Sequence, residues 1–283
     1  MSPYAAALQA RFADATPGAG DAADDGVGPG LGPVIGPVIG RKTVRRYNSR
    51  MPDEALLSAL TAAALSASSK SDFQQASILR VLDPAVRKAI GGMYPAMPWI
   101  GTSPVFYVFL ADARRLQRIG ELRGKPVANG TLEGFFNASV DASLALQTFI
   151  LAAESVSLGC CPISVIRNRI DAIAPLLGLP DLVFPIAGLC VGYPADEGHV
   201  SLRLPRAVTV HTDRYDDSAL PGLIDAYDRT RDSRHALTPQ QQRNNARFGA
   251  ADFYGWSEDK ARQAAEPEGA AFAAHLRAHG FDF

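Results

Sequence analysis

The spacing of apolar and polar positions divides the chain into a helical body crossed by a few short, strongly apolar strands. Residues 105–110 read Val-Phe-Tyr-Val-Phe-Leu, a run of β-branched and aromatic side chains that predicts a strand. Residues 184–192 predict a buried strand, and 78–82 and 208–210 shorter ones. Apolar residues recur at helical spacing over 53–66, 84–90, 132–157, 167–177, 219–230 and 257–279. Pro84 suits a first helical turn, while Gly178 and Pro180 stop the 167–177 helix. Residues 3–12 fit a short amphipathic helix. The longest apolar stretch lies within 135–158, but it carries Asn137, Asp141, Gln147 and Glu154. A bilayer accommodates such groups poorly, so the stretch reads as a core or interface helix.

Between these elements lie segments of different character. Residues 14–40 are rich in Gly, Pro, Ala and Asp and contain the repeat Gly32-Pro33-Val34-Ile35, Gly36-Pro37-Val38-Ile39. Gly and Pro oppose a helix here, which predicts either a flexible arm or an extended strap held by its Val-Ile pairs. Residues 66–71 form a hydroxyl-rich loop, 124–130 a second loop and 159–165 a turn. Residues 231–256 are polar and long for a connection inside a compact domain, a length common in functional or mobile loops. Few strands separated by helices predict an α+β (mixed α/β) fold, one central sheet in a helical shell. The expected organisation is an N-terminal helix and arm over 1–40 and a single domain over 41–283. Within that domain a mobile Arg-bearing loop covers 229–256 and a C-terminal helix 257–283.

Composition narrows the function. The 283 residues are 47% hydrophobic and 20% charged, ordinary globular material able to bury a core. A formal net charge of -1 argues against bulk binding to nucleic acid or an anionic membrane. Three cysteines (Cys160, Cys161 and Cys190) make no secreted disulfide framework, and the first residues carry no charged-then-apolar leader. A cytoplasmic protein is the expectation.

Several chemistries are disfavoured by pattern. No Gly-x-Gly-x-x-Gly follows a strand and opens a helix, and there is no Walker loop or Gly-x-Ser-x-Gly elbow. Cys160-Cys161 lacks the Cys-x-x-Cys spacing of a redox pair. His275 and His279 are four apart but have no carboxylate between them, so a metal is not expected there. The positive signal is Arg41-Lys42-Thr43-Val44-Arg45-Arg46, four cations and a hydroxyl in six positions. Guanidinium forks match phosphate oxygens, so this knot reads as a phosphate site, with a solvated basic patch or a nucleic-acid contact as alternatives. Three more polar clusters follow: Ser68–Ser71 with Gln74, Gly159–Val165, and Ser201-Leu202-Arg203. Taken singly, the serines also fit helix caps, Gly159 a helix end and Arg203 a surface charge.

In order and spacing these clusters resemble the nitroreductase superfamily, in its NADPH-dependent flavin reductase and oxygen-insensitive nitroreductase branch. The likeness runs from about Gly40 to Tyr227. It includes Asp141-Ala142-Ser143-Leu144-Ala145-Leu146-Gln147 and, most specifically, Gly188-Leu189-Cys190-Val191-Gly192-Tyr193-Pro194-Ala195-Asp196 followed by Arg203-Leu204-Pro205. The resemblance implies a homodimer with a long interface helix, a central mixed sheet, and FMN held noncovalently between subunits. By position it implies that Arg41, Lys42, Thr43, Val44, Arg45, Ser201 and Arg203 serve the FMN phosphate. Ser69, Ser71, Met97, Pro162, Ile163, Ser164 and Val165 then serve the rest of the flavin. No side chain is expected as nucleophile, because the flavin carries the hydride chemistry. NADPH is the implied co-substrate, in a ping-pong cycle with nitroaromatic, quinone or flavin acceptors. Arg231 and Arg234 are candidates for its 2′-phosphate. Where the family has His, Gln, an aromatic residue and Lys, this chain has Arg41, Met97, Pro162 and Ser201. The departures at Met97 and Pro162 motivate one alternative, an FMN-binding storage or sensing protein without reductase turnover.

Overall fold

A computed structural model describes residues 3–13 and 32–283 of the chain. Two compact units emerge, residues 42–199 with 269–283 and residues 1–41 with 200–268. Along the chain the helices and strands run α1 (Pro3–Phe12), α2 (Gly32–Gly40), α3 (Glu54–Leu65), β1 (Ala76–Arg80), α4 (Pro84–Gly92), α5 (Trp99–Thr102), β2 (Val105–Asp112) and α6 (Arg114–Arg123). They continue with α7 (Leu132–Ser155), β3 (Gly159–Ile163), α8 (Ile170–Leu176), β4 (Val183–Gly192), α9 (Arg206–Thr209), α10 (Leu220–His235), α11 (Asn245–Phe248), α12 (Trp256–Ala264) and α13 (Ala270–Ala278).

The larger unit is built on an antiparallel sheet of order β1-β2-β4-β3. Parallel pairing among the described residues is confined to two isolated bridges, Thr43 with Cys160 beside β3 and Thr131 with Asp282. Alternation along the strands separates two apolar layers, because successive side chains leave a strand on opposite faces. Tyr107, Phe109, Leu189 and Val191 meet Leu57 and Leu60 of α3 and Ala145, Phe149 and Ala153 of α7. Tyr107 and Phe109 each meet the Phe149 ring edge-on, at centroid distances of 5.1 and 5.7 Å. Phe106, Val108, Leu110 and Cys190 face the other way, onto Ile90, Ile100, Ile166 and Ile173.

Local chemistry sets the helix starts. Asp53 accepts from the Leu56 N–H at 2.7 Å and Asp83 from the Ala85 N–H at 2.7 Å, so each carboxylate caps an orphan donor. The helix α7 is long and apolar enough to cross a membrane, by length and composition alone. Here it packs on β2 and α3, and Asp141 at its middle is buried and hydrogen-bonded, as a core helix requires.

Four expectations are corrected. Residues 32–40 form a helix, neither arm nor strap; residues 14–31 lie outside the described residues. Pro33 sits in the first turn, where its missing N–H would have had no partner, and Pro37 forfeits a single bond to the Pro33 carbonyl. The predicted turn at 159–165 begins as β3, whose Pro162 is tolerated because the strand lies at the sheet edge. Residues 208–210 make no strand; Pro205 opens the single turn α9, with the Val208 N–H donating to its carbonyl at 2.9 Å. The helix predicted over 257–279 is two, α12 and α13, separated by Pro267 and by Gly269 at φ +65°. Helix α6 was not anticipated from the pattern.

The smaller unit contains α1, α2 and α9–α12. Helix α10 runs on to His235, so Arg231 and Arg234 stand on a helix and the polar connection begins at Ala236. That connection closes on itself around Arg262, which is 4% exposed. Arg262 donates to the carbonyls of Arg243 (3.0 Å) and Gly249 (2.8 Å) and to Asn245 Oδ1 (3.0 Å). The Tyr254 hydroxyl accepts from the Arg243 N–H (2.8 Å) and donates to Asp259 (3.0 Å). A buried cation surrounded by carbonyls takes the place of an apolar core for this loop.

Candidate functional site

In the larger unit, two of the predicted clusters, the basic segment and residues 159–165, converge around β3, together with Met97 and Trp99. The Val44 N–H donates to the Cys160 carbonyl at 3.0 Å, beside the Thr43 bridge, which seats the basic segment Lys42–Arg45 along the strand that leads into Pro162–Val165. The approach is close enough to exclude a side chain: a Cβ at Gly159 would lie 2.5 Å from Val44 Cγ2. Tyr47 locks the far end of the segment, its hydroxyl donating to the Val44 carbonyl at 2.7 Å with the Cys190 carbonyl at 3.2 Å. Burial drives the Tyr47 pKa far up, so the hydroxyl stays a donor. Lys42 Nζ donates to the Glu197 carbonyl. Arg46 pairs with Asp196 at 2.5 Å, whereas the Arg45 guanidinium lies 5.5 Å from the centre of the Trp99 ring.

Trp99 belongs to one apolar cluster with Met97, Val165 and Ile163. Ile163 is 3% exposed, so its side chain belongs to the core and only its backbone is left for a ligand. Pro162 and Ser164, on either side of it, are exposed. Trp99 Nε1 and the Tyr94 hydroxyl are buried with no hydrogen-bond partner among the described residues. Such donors are costly to leave unmet.

The serine loop is organised separately, by Asp141 of α7. This carboxylate is 2% exposed and accepts from Ser69 Oγ (2.9 Å), the Lys70 N–H (2.8 Å) and the Gln75 N–H (3.0 Å). Ser69 Oγ in turn accepts from the Gln74 N–H at 2.7 Å. The loop is held in a conformation that L residues avoid, with φ of +50° at Ser71, +58° at Asp72 and +53° at Gln74. Ser69, Gln74, Asp141 and Arg115 line a cavity of about 560 Å³. Ser71 is exposed and is not part of that lining. Arg115 closes the loop from below, donating to the Gln74 carbonyl, to Ser77 Oγ at 2.6 Å and to Asp112 at 2.9 Å.

In the smaller unit, Arg41, Ser201 and Arg203 are drawn together by Arg11, a residue not singled out from the sequence. Arg11 donates to the carbonyls of Ile39 (2.7 Å), Arg41 and Ser201 (2.9 Å), and its own carbonyl accepts from the Arg203 N–H at 2.7 Å. Arg231 is half-buried on α10. Arg234 reaches the carbonyls of Gln9 and Ala10 at 3.4 Å, a cation at the C-terminal end of α1. Of the residues missed as site supports, Asp141 was visible as an acid in the middle of an apolar helix, whereas nothing in the pattern of residues 3–12 separates Arg11 from a surface arginine.

Comparison with known proteins bears on the family of the chain. A model described as "Nitroreductase family" matches residues 38–193, and one described as "Nitroreductase family, C-terminal domain" matches residues 201–283. Over 192 residues the chain is 34% identical to the FMN reductase (NAD(P)H) of Bacillus subtilis (strain 168), covering 66% of this chain and 76% of that protein. Over 175 residues it is 35% identical to the oxygen-insensitive NADPH nitroreductase of Salmonella typhimurium, covering 62% of this chain and 71% of that one. The solved structure of B. megaterium NfrA2 superposes with a TM-score of 0.79 at 29% identity, over 89% of this chain and 98% of its own. The two matched stretches, the first of which alone spans more than half of the chain, place this chain in the nitroreductase family.

Proposed function

We propose that the protein is an FMN-dependent oxidoreductase that draws hydride from NADPH and delivers it to nitroaromatic, quinone or flavin acceptors. The relatives are named as an FMN reductase and an NADPH nitroreductase, which supports the reaction class. The observation that carries the reading is the convergence of Lys42–Arg45, Met97–Trp99 and Pro162–Val165 about β3.

The residues present fit FMN. Lys42, Thr43 and Arg45 supply an ammonium, a hydroxyl and a guanidinium, a donor set suited to a phosphomonoester. The buried Trp99 Nε1 is a donor with no acceptor among the described residues. Val165, Met97 and the exposed Pro162 offer apolar surface for a planar ring, and Ser164 a hydroxyl at its margin. Arg41, Ser201 and Arg203 are proposed as further donors to the phosphate. Ser69 and Ser71 are assigned to the flavin through the acid-held loop, Ser69 with its hydrogen donated to Asp141 and Ser71 exposed. When bound, FMN supplies two-electron hydride chemistry, and the chain supplies position, charge and exclusion of water.

Exposed Leu132, Phe136, Val140 and Leu144 recur every four residues along α7. Such a stripe on one helix face supports a homodimer through this helix. Three buried cysteines, none in a disulfide among the described residues, support a cytoplasmic setting. For the NADPH 2′-phosphate, Arg231 is the stronger candidate, since Arg234 already meets two α1 carbonyls. Initial rates with NADPH and a simple quinone varied together test the cycle. Parallel double-reciprocal lines are expected, in which NADP leaves before the acceptor enters; lines that converge to the left of the axis refute the ping-pong order.

A further inference from the structure

Arg11 lies in the last turn of α1, outside both stretches that match the nitroreductase family. It is 4% exposed, although arginine is ordinarily a surface residue. Its guanidinium is distributed over backbone carbonyls of two segments far apart in sequence. Nε donates to Ile39 at 2.7 Å and Nη2 to Arg41, on the segment that ends α2. Nη1 donates to Ser201 at 2.9 Å, and two residues further on the Arg203 N–H returns a bond to the Arg11 carbonyl at 2.7 Å. One residue therefore sets the separation between the backbone carrying Arg41 and the backbone carrying Ser201 and Arg203.

Such a brace has a physical purpose if the two arginines share one anion. Two guanidinium groups brought to one phosphate repel each other. Backbone that is already fixed removes the cost of assembling them on binding. The planar fork of Arg11 holds three carbonyls in fixed directions, which the single ammonium of lysine cannot reproduce. Helix α1 has independent anchors: Arg234 meets its C-terminal carbonyls, Leu8 is buried, and α2 packs against it. Arg11 is thus not needed merely to keep α1 in place.

We propose that Arg11 is a positioning residue for the phosphate grip of this unit, acting through Arg41, Ser201 and Arg203 on the terminal phosphate of FMN. The proposal rests on the FMN reading above. Its selective consequence is that Arg11 matters for a flavin with a phosphate and not for one without.

The test titrates flavin-stripped full-length protein with FMN and with riboflavin, following flavin fluorescence. The wild type is expected to prefer FMN by about tenfold or more, the worth of at least one charge-assisted bond. In Arg11→Met the FMN dissociation constant is expected to rise about tenfold or more, with that for riboflavin within about twofold of wild type. Arg11→Lys, which keeps the charge but cannot span the carbonyls, is expected to give an intermediate FMN-to-riboflavin ratio. Equal weakening of both flavins, or an unchanged ratio, overturns the positioning role. Should Arg11→Met fail to fold by circular dichroism, Arg11→Lys decides: a wild-type ratio in that variant overturns the proposal. A wild type that binds riboflavin as tightly as FMN refutes the phosphate reading itself, an outcome distinct from failure of the Arg11 role.

Discussion

Asp141 is a carboxylate in the middle of an apolar helix, and its three hydrogen bonds all go to one loop. That loop contains three non-glycine residues at positive φ, each conformation costing roughly 1 kcal/mol or more, so its shape persists only because something holds it. Asp141→Ala would leave the Ser69 hydroxyl and the Lys70 and Gln75 N–H groups unmet, a loss of about 3 kcal/mol or more in urea unfolding. Asp141→Asn is expected to cost nearly as much, because an amide nitrogen would face an N–H donor. A change below about 1 kcal/mol in either variant would show that the carboxylate does not hold the loop.

Cys190 gives a second prediction at this scale. Burial pushes its thiol from 9.0 up to about 12, with Cys161 adding to the rise and Ser103 and Arg87 opposing it. Below pH 9 the thiol is neutral in both folded and unfolded chains. Between about 9 and 12 the unfolded thiol ionises first, so the unfolded state binds fewer protons and stability falls as pH rises. Cys190→Ser, which cannot ionise in this range, is expected to remove up to about 1.4 kcal/mol per pH unit from the alkaline slope. Identical slopes in variant and wild type would contradict the assignment.

At the scale of elements, α7 has a buried face and an exposed apolar face, the second being the proposed dimer interface. Its inner face supplies Ala142, Ala145, Phe149 and Ala153 to the packed layer against β2 and α3. Its outer stripe leaves Phe136 60% exposed and Leu144 41% exposed. Neither side chain contributes to the core, so charges there test assembly without emptying a cavity. Phe136→Glu combined with Leu144→Glu is expected to shift the protein from dimer to monomer by light scattering at micromolar concentration, with helix content retained. A double variant that remains dimeric would move the proposed interface elsewhere.

For the molecule as a whole, the apolar runs at 105–110 and 184–192 foretold the two central strands, since burial on both faces leaves a strong pattern. The edge strand β3 was legible only as a turn, because Gly159, Cys160 and Pro162 carry little strand propensity and are ordered by neighbours remote in sequence. The helix at 32–40 was hidden by its glycines and prolines, whose cost depends on where in the helix they fall. The basic segment and the serine loop announced themselves by composition. The buried arginines that brace backbone elsewhere, Arg11 and Arg262, did not, because a cation buried against backbone carbonyls looks in sequence like any solvent-exposed one. The central claim is that Lys42–Arg45 and the groups gathered with them about β3 hold FMN, and visible absorbance tests it most directly. Purified protein, or apo-protein mixed with one equivalent of FMN and gel-filtered, is expected to elute with a flavin band near 450 nm at close to one FMN per chain, and Arg45→Ala with markedly less. Protein that elutes colourless after incubation with excess FMN would contradict the account.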